Sequence, residues 1–347
     1  MNFYKIFIIS SLTTLTVGCN GKQNSTKNLF SLVINQGETK IQEGNTVEIT
    51  IKNRKNTPID SVTYSLNDVP VTVGDGKFKI DTEKLGDHTL YANVYHEGEV
   101  SEISETITVL ANNPPKIYSY TILNEFPHDI KAYTQGLEFH DGQLYESTGR
   151  RGQSTLRKVN FETGEVEKKI DLDDIYFGEG ITIINNKIFQ LTWQKRTGFI
   201  YDLDSFEKTG SFQYNQSKEG WGLTNDGDHI YKSDGTDKIW ILDPETLQEK
   251  DFIQTVTNSS VFNKANELEF VDGLIYANVY LKDSAMIIDA KTGAIIGVID
   301  FRGLKNKVTQ HADLDVLNGI AYHPERKTFF ITGKNWDKMF EVQIHEK

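Results

Sequence analysis

"QGLEFHDGQLYESTG" (residues 135–149) reads as an apolar strand, a tight Asp-Gly turn and a second strand, and the pattern returns four times. The later copies are "EGITIINNKIFQLTW" (179–193), "WGLTNDGDHIYKSDG" (221–235), "NELEFVDGLIYANVY" (266–280) and "NGIAYHPERKTFFITG" (318–333). Counting from Gly136 to Gly180, Gly222, Glu267 and Gly319 gives steps of 44, 42, 45 and 52 residues. A period of about 40–50 residues holding several short strands marks propeller blades. Each copy continues into a third strand that closes on an acidic turn, such as "KVNFETGE" or "IWILDPETLQE", and then a fourth, such as "VEKKIDL". The fifth copy stops after its third strand, "MFEVQI". Its missing partner is expected from "YSYTILNEF" (118–126), ahead of the first copy, because a ring closed by both chain ends leaves no exposed edge. The expectation is an all-β chain with a five-bladed β-propeller over residues 118–347.

Upstream, short alternating runs such as "TVEITI", "SVTYSL" and "HTLYANVY" are separated by turn signals such as "GDGK" and "KLGDH". Their spacing predicts a small immunoglobulin-like β-sandwich over 28–112. "ANNPPK" disfavours helix and ladder alike, so a linker is placed at 113–117. The sandwich itself carries no clustered aromatics, basic patch or acid pair, and its simplest role is that of a spacer.

The first 19 residues, "MNFYKIFIISSLTTLTVGC", combine Lys5, an apolar core and small residues before Cys19, the single cysteine of the chain. They read as a lipoprotein signal peptide with Cys19 lipidated, although Thr16 stands where such signals usually have Leu. Residues 20–27 then form a tether. The expected location is a bacterial cell envelope, lipid-anchored on the periplasmic or cell-surface side of the outer membrane. With Cys19 acylated, no thiol is left for disulfides, nucleophilic catalysis or metal binding. A net charge of -12 leaves no basic stripe for nucleic acid.

In a propeller the positions that open each repeat converge at one mouth of the central channel. Here they are Tyr133 and Gln135, Phe177 and Glu179, Trp221, Asn266 and Glu267, and Asn318; Trp193, Tyr280, Lys334 and Trp336 follow nearby. Aromatic walls around a few polar groups suit a small-molecule site, although any one aromatic could equally pack the neck of the ring. Gly178 and Gly180 permit either a close backbone approach or a positive φ. Glu179 is the acid among neutral counterparts at the aligned positions Gln135, Trp221, Asn266 and Asn318.

"YTQGLEF", "YFGEGI", "QLTW", "GWGLTNDG", "YKSDGT", "NELEFVDGLIYANVY", "VLNGIAY" and "TGKNW" occur in order at consistent spacing. Together they resemble the plant and bacterial glutaminyl cyclases, or glutaminyl-peptide cyclotransferases, from about Tyr118 to Ile344. The resemblance implies a five-bladed propeller whose pocket converts an N-terminal glutamine to pyroglutamate and releases ammonia. It implies that Glu179 is the acid/base group and that Gln135, Phe177, Trp193, Trp221, Asn266 and Lys334 line the pocket. Tyr133 replaces a commoner Phe and Tyr280 a commoner Trp; each keeps an aromatic face and adds a hydroxyl.

Cyclisation requires the α-amine to attack the γ-carbonyl of the same residue while the amide nitrogen leaves as ammonia. A partly buried carboxylate with raised pKa can carry the proton between the two nitrogens. Lys334, the Asn266 amide and indole N–H groups are candidate donors to the developing oxyanion. Lys334 has a second possible role as an ion-pair partner of Glu179, which would lower the glutamate's pKa. The eight histidines are scattered without ligand spacing, so no catalytic metal and no required cofactor is expected. "SDGTD" and "LDPE" leave a structural cation such as calcium open, although Asp-Gly turns need no ion. The expected substrates are peptides or proteins with N-terminal glutamine, and the expected state is a monomer. The alternative is a non-catalytic propeller that binds peptides or carbohydrates at the cell envelope.

Overall fold

The computed structural model describes residues 29–347; the signal segment, Cys19 and the tether at 20–27 lie outside the described residues. The described chain is all-β. Downstream of residue 133 come three four-stranded antiparallel sheets in chain order. The first begins with Thr134–His140, the second with Gly178–Ile184 and the third with Leu223–Asn225. An eight-stranded sheet holds the rest. One half runs from Ala265–Val271 to Ile295–Asp300, and the other from Leu317–His323 outward to Lys338–Glu346. Lys116–Pro127 pairs antiparallel with Lys338–Glu346, setting Phe126 opposite Met339 and Tyr120 opposite Ile344. The first residues of the same strand run parallel to Ile295–Asp300, which joins the two halves. The segment 118–126 thus completes the last group of strands, as the sequence pattern anticipates.

The first strands of these groups touch one another in a closed cycle. The residue two places after each repeat's opening position is an apolar member packed between neighbouring sheets: Leu137, Ile181, Leu223, Leu268 and Ile320 are all at most 1% exposed, each in its own buried cluster. Burying each such side chain stabilises the fold by about 1.5–3 kcal/mol. The arrangement is a β-propeller-like ring, and it brings residues some 45 positions apart to one mouth.

Residues 30–110 form a three-stranded sheet containing Phe30–Ile34, Thr46–Asn53 and Lys77–Lys79 and a five-stranded sheet centred on Gly86–His96 and Glu99–Leu110. Both sheets contribute to one buried cluster, with Leu32, Ile34 and Val47 meeting Leu90, Ile107 and Val109. That cluster does not stop at the linker. Val256, fully buried, and the partly buried Val261 and Ala294 of the ring pack into it. Backbone bonds from Leu85 N to Thr292 O (2.9 Å) and from Ala111 N to Thr257 O (3.2 Å) fasten the two units. Asp87 N also donates to Gln254 Oε1 at 2.6 Å.

Candidate active site

Gln135, Glu179, Asn266 and Asn318 all sit where the inner strands break register. The ladders skip between Thr134 and Gly136, Gly178 and Ile181, Ala265 and Leu268, and Leu317 and Ile320. An extra residue in one strand re-aims side chains out of the alternating pattern, so bulges recur beside active sites. The glycines that follow in the first three repeats are explained by close approach, whereas Gly319 of the fifth has a φ of 120°. Neither Gly178 nor Gly180 has a positive φ. A Cβ on Gly180 would lie 2.6 Å from Leu223 N, and one on Gly222 would collide with Asn266 O. At the fourth repeat Glu267 replaces this glycine, and its carboxylate accepts from Leu137 N (3.2 Å) and Ile320 N (2.8 Å), stitching neighbouring strands.

Tyr133, Gln135, Phe177, Glu179, Trp193, Trp221, Asn266, Tyr280 and Lys334 line one cavity of about 300 Å³. The structure therefore brings together all nine residues expected at the site. Phe177 stands edge-on to Trp193 (5.6 Å between centroids) and to Tyr133 (6.1 Å), and Trp221 stands edge-on to Tyr280 at 5.3 Å. Asn318 stays behind the pocket. Its Nδ2 donates to Gln135 Oε1 at 3.2 Å and to Thr134 O at 3.0 Å, which directs Gln135 Nε2 toward Glu179. That Nε2 donates to Glu179 Oε1 at 3.0 Å.

Glu179 is buried, and burial holds its carboxyl well above the usual carboxylate range; the Lys334 charge opposes this and the Glu219 charge adds to it. Burial likewise pushes the Lys334 ammonium down, against the pull of Glu179 and Asp315. Among the described residues, Lys334 and Glu179 form no ion pair within 4.0 Å, so the pairing role weighed above is not made in this structure. Lys334 Nζ instead lies over the rings of Tyr133 (4.8 Å) and Tyr280 (5.7 Å). Neither Lys334 Nζ nor the Asn266 side-chain amide hydrogen-bonds another described residue, which leaves both donors free for a ligand.

Two sequence expectations change, and the Tyr133 hydroxyl finds a partner. The indole N–H groups are not available to an oxyanion, because Trp193 Nε1 and Trp221 Nε1 both donate to Glu219 Oε2, at 2.7 and 2.9 Å. Trp336 is not in the pocket: fully buried in an apolar cluster, it donates its indole N–H to Asp315 O at 3.1 Å. The added hydroxyl of Tyr133 does not intrude on the cavity chemistry, because it donates to Asp315 Oδ2 at 2.8 Å. Glu219 and Asp315 are the supporting residues that the sequence reading missed. The acids of "SDGTD" and "LDPE" are engaged in turns, with Asp234 Oδ1 accepting from Thr236 N (3.0 Å) and Asp243 Oδ1 from Thr246 N (2.8 Å).

Comparison with known proteins points the same way. The family model for glutamine cyclotransferase matches residues 105–344, beginning inside the strand Glu99–Leu110. The chain is 37% identical over 234 residues to a glutaminyl-peptide cyclotransferase of Arabidopsis thaliana, covering 67% of this chain and 73% of the relative. The crystal structure of Myxococcus xanthus glutaminyl cyclase superposes with a TM-score of 0.62 at 32% identity, covering 67% of this chain and 99% of that one. The chain belongs to the glutamine cyclotransferase family.

Proposed function

We infer that the chain is a glutaminyl-peptide cyclotransferase that converts the N-terminal glutamine of peptides to pyroglutamate and releases ammonia. The observation that carries the reading is the buried Glu179 carboxyl, held by Gln135 inside a pocket of aromatic walls with two free donors, Lys334 and Asn266. A cavity of about 300 Å³ is large enough for one curled glutaminyl residue with its α-amine.

The chemistry follows from that arrangement. Aromatic walls hold the glutamine folded, with its α-nitrogen against its own Cδ, which removes much of the entropic barrier. As the N–C bond forms, the carbonyl oxygen gains negative charge facing Lys334 Nζ and the Asn266 amide. Glu179 takes a proton from the attacking nitrogen and delivers one to the departing amide nitrogen, so the C–N bond breaks with ammonia as the leaving group. A carboxyl held above its ordinary range by burial is matched to both transfers near neutrality.

The finer architecture belongs to the same proposal. The cycle of five first strands supports a five-bladed propeller over residues 118–347, and the two sheets over one core support an immunoglobulin-like sandwich at 28–112. A lipid anchor at Cys19 would hold a monomeric enzyme at a bacterial cell envelope, a reading that rests on the signal-like segment alone. The test of function is ammonia release from a Gln-initiated dipeptide, compared between the wild-type chain and Glu179→Gln.

A further inference from the structure

Glu219 lines none of the pocket, yet it holds two of its walls. Its Oε2 takes the indole N–H of Trp193 at 2.7 Å and of Trp221 at 2.9 Å. The two tryptophans belong to different sheets: Trp193 follows the strand Lys187–Thr192, and Trp221 precedes Leu223–Asn225. No ladder bond runs between those strands; Gly180 N donates to Trp221 O at 2.7 Å and Trp193 N to Phe177 O at 3.0 Å, which ties the two backbones but leaves the ring edges to be joined through side chains. One shared oxygen joins them. An indole N–H can only donate, and a carboxylate is its strongest ordinary acceptor.

The segment that carries Glu219 is itself pinned from below. Lys232, completely buried, donates to Glu219 O at 2.9 Å and to Glu249 Oε1 at 2.9 Å, and it bonds Ser217 Oγ. Glu249 Oε2 accepts from Gln216 N at 2.7 Å and Ser217 N at 2.9 Å. Lys232 Nζ also sits 4.2 Å above the Tyr214 ring, whose hydroxyl accepts from Thr192 N at 2.9 Å, immediately before Trp193. A single buried network therefore grips the residue ahead of one tryptophan and the loop ahead of the other. Breaking such a buried pair is costly because it leaves one charge uncompensated, so the loop is held where the pair and its hydrogen bonds place it.

We propose that Glu219 is a positioning residue for the cyclotransferase reaction, fixing Trp193 and Trp221 at the separation that clasps the N-terminal glutamine. The inference rests on the cyclotransferase reading of the pocket. Rings that clasp the substrate equally before and during reaction act mainly on KM. The same carboxylate stands close enough to Glu179 to help keep its proton in place.

The experiment combines steady-state kinetics on a Gln-initiated dipeptide with the indole ¹H–¹⁵N resonances of wild-type, Glu219→Ala and Glu219→Gln chains. In Glu219→Ala both indole N–H resonances should move upfield, and KM should rise by about 10-fold with a smaller change in kcat. Glu219→Gln keeps a neutral acceptor of the same shape. It should recover most of the KM effect while moving the acid limb of the pH–rate profile to lower pH, because the repulsion on Glu179 is gone. Indole resonances unmoved by Glu219→Ala, or a Glu219→Gln chain as impaired in KM as Glu219→Ala, would overturn the proposal. If the alanine variant does not fold, the glutamine variant carries the test through its indole resonances, which should both shift as the charged acceptor becomes neutral; unmoved resonances count against the proposal. A wild-type chain without turnover would sink the cyclotransferase reading instead, while the resonances still report whether Glu219 holds both rings.

Discussion

Gln135 Nε2 donates to Glu179 Oε1 at 3.0 Å, and Asn318 Nδ2 fixes the amide that donates. The bond orients the carboxyl so that its second oxygen is left for the substrate. Gln135→Leu should lower kcat by about 100-fold, the usual cost of misplacing a catalytic group, with a smaller change in KM. Equal kcat in the variant would show that the carboxyl is aligned by other means.

Lys334→Met tests the oxyanion role. Losing a preorganised donor costs on the order of 100-fold in kcat. The variant should also move the acid limb of kcat/KM upward in pH, because the lysine's charge pulls the Glu179 carboxyl down. In the wild-type chain that limb should already lie well above the usual carboxylate value of about 4.3. A limb at the ordinary value would remove burial as the cause of the tuning.

Three further carboxyls, those of Glu138, Glu267 and Glu269, are buried around the ring's interior, each pushed up mainly by burial and Glu138 to about 8. Glu138 holds its proton in the folded chain at pH values where the unfolded chain, above about pH 4.3, has lost it. For Glu138 the stabilising contribution is therefore full at low pH and is lost as pH rises toward 8, at roughly 1.4 kcal/mol per unit. Glu138→Gln keeps an acceptor for Ile183 N, which the glutamate engages at 3.0 Å. Its melting temperature should fall less between pH 5 and pH 8 than that of the wild-type chain; parallel curves would contradict this.

The expected spacer role of the N-terminal unit sits poorly with the shared core. Removing residues 1–112 would uncover Val256 and strip Gln254 and Thr292 of their partners. Exposing one such side chain costs about 1.5–3 kcal/mol, so the melting temperature should drop by about 5 °C or more. KM should rise as well, because the chain from Gln254 leads directly to Asn266. A truncated chain as stable and active as the whole would restore the spacer.

The nine pocket residues were legible because they sit at repeated positions, and the repeat converts sequence distance into spatial convergence. Leu137, Ile181, Leu223, Leu268 and Ile320 show why: one apolar residue per repeat packs between neighbouring sheets, which puts Gln135, Glu179, Trp221 and Asn266, two places earlier, at the mouth, while Asn318 stays behind Gln135. Glu219 and Asp315 were not legible. Both lie in connecting segments where no period dictates the direction of a side chain, and "KEGWG" places an acid near Trp221 without saying that it bonds two indoles. Trp336 misled for the same reason. Its place two residues after Lys334 suggests the pocket, but the turn at Asn335, with φ of 61°, carries it into the core.

The most direct test of the account is ammonia release from a Gln-initiated dipeptide by the wild-type chain and by Glu179→Gln, with both folds checked by circular dichroism. The wild-type chain should release ammonia stoichiometrically with pyroglutamate, and the variant should lose at least about 100-fold in kcat while still binding the dipeptide. Undiminished turnover by Glu179→Gln would contradict the assignment of Glu179 as the proton carrier.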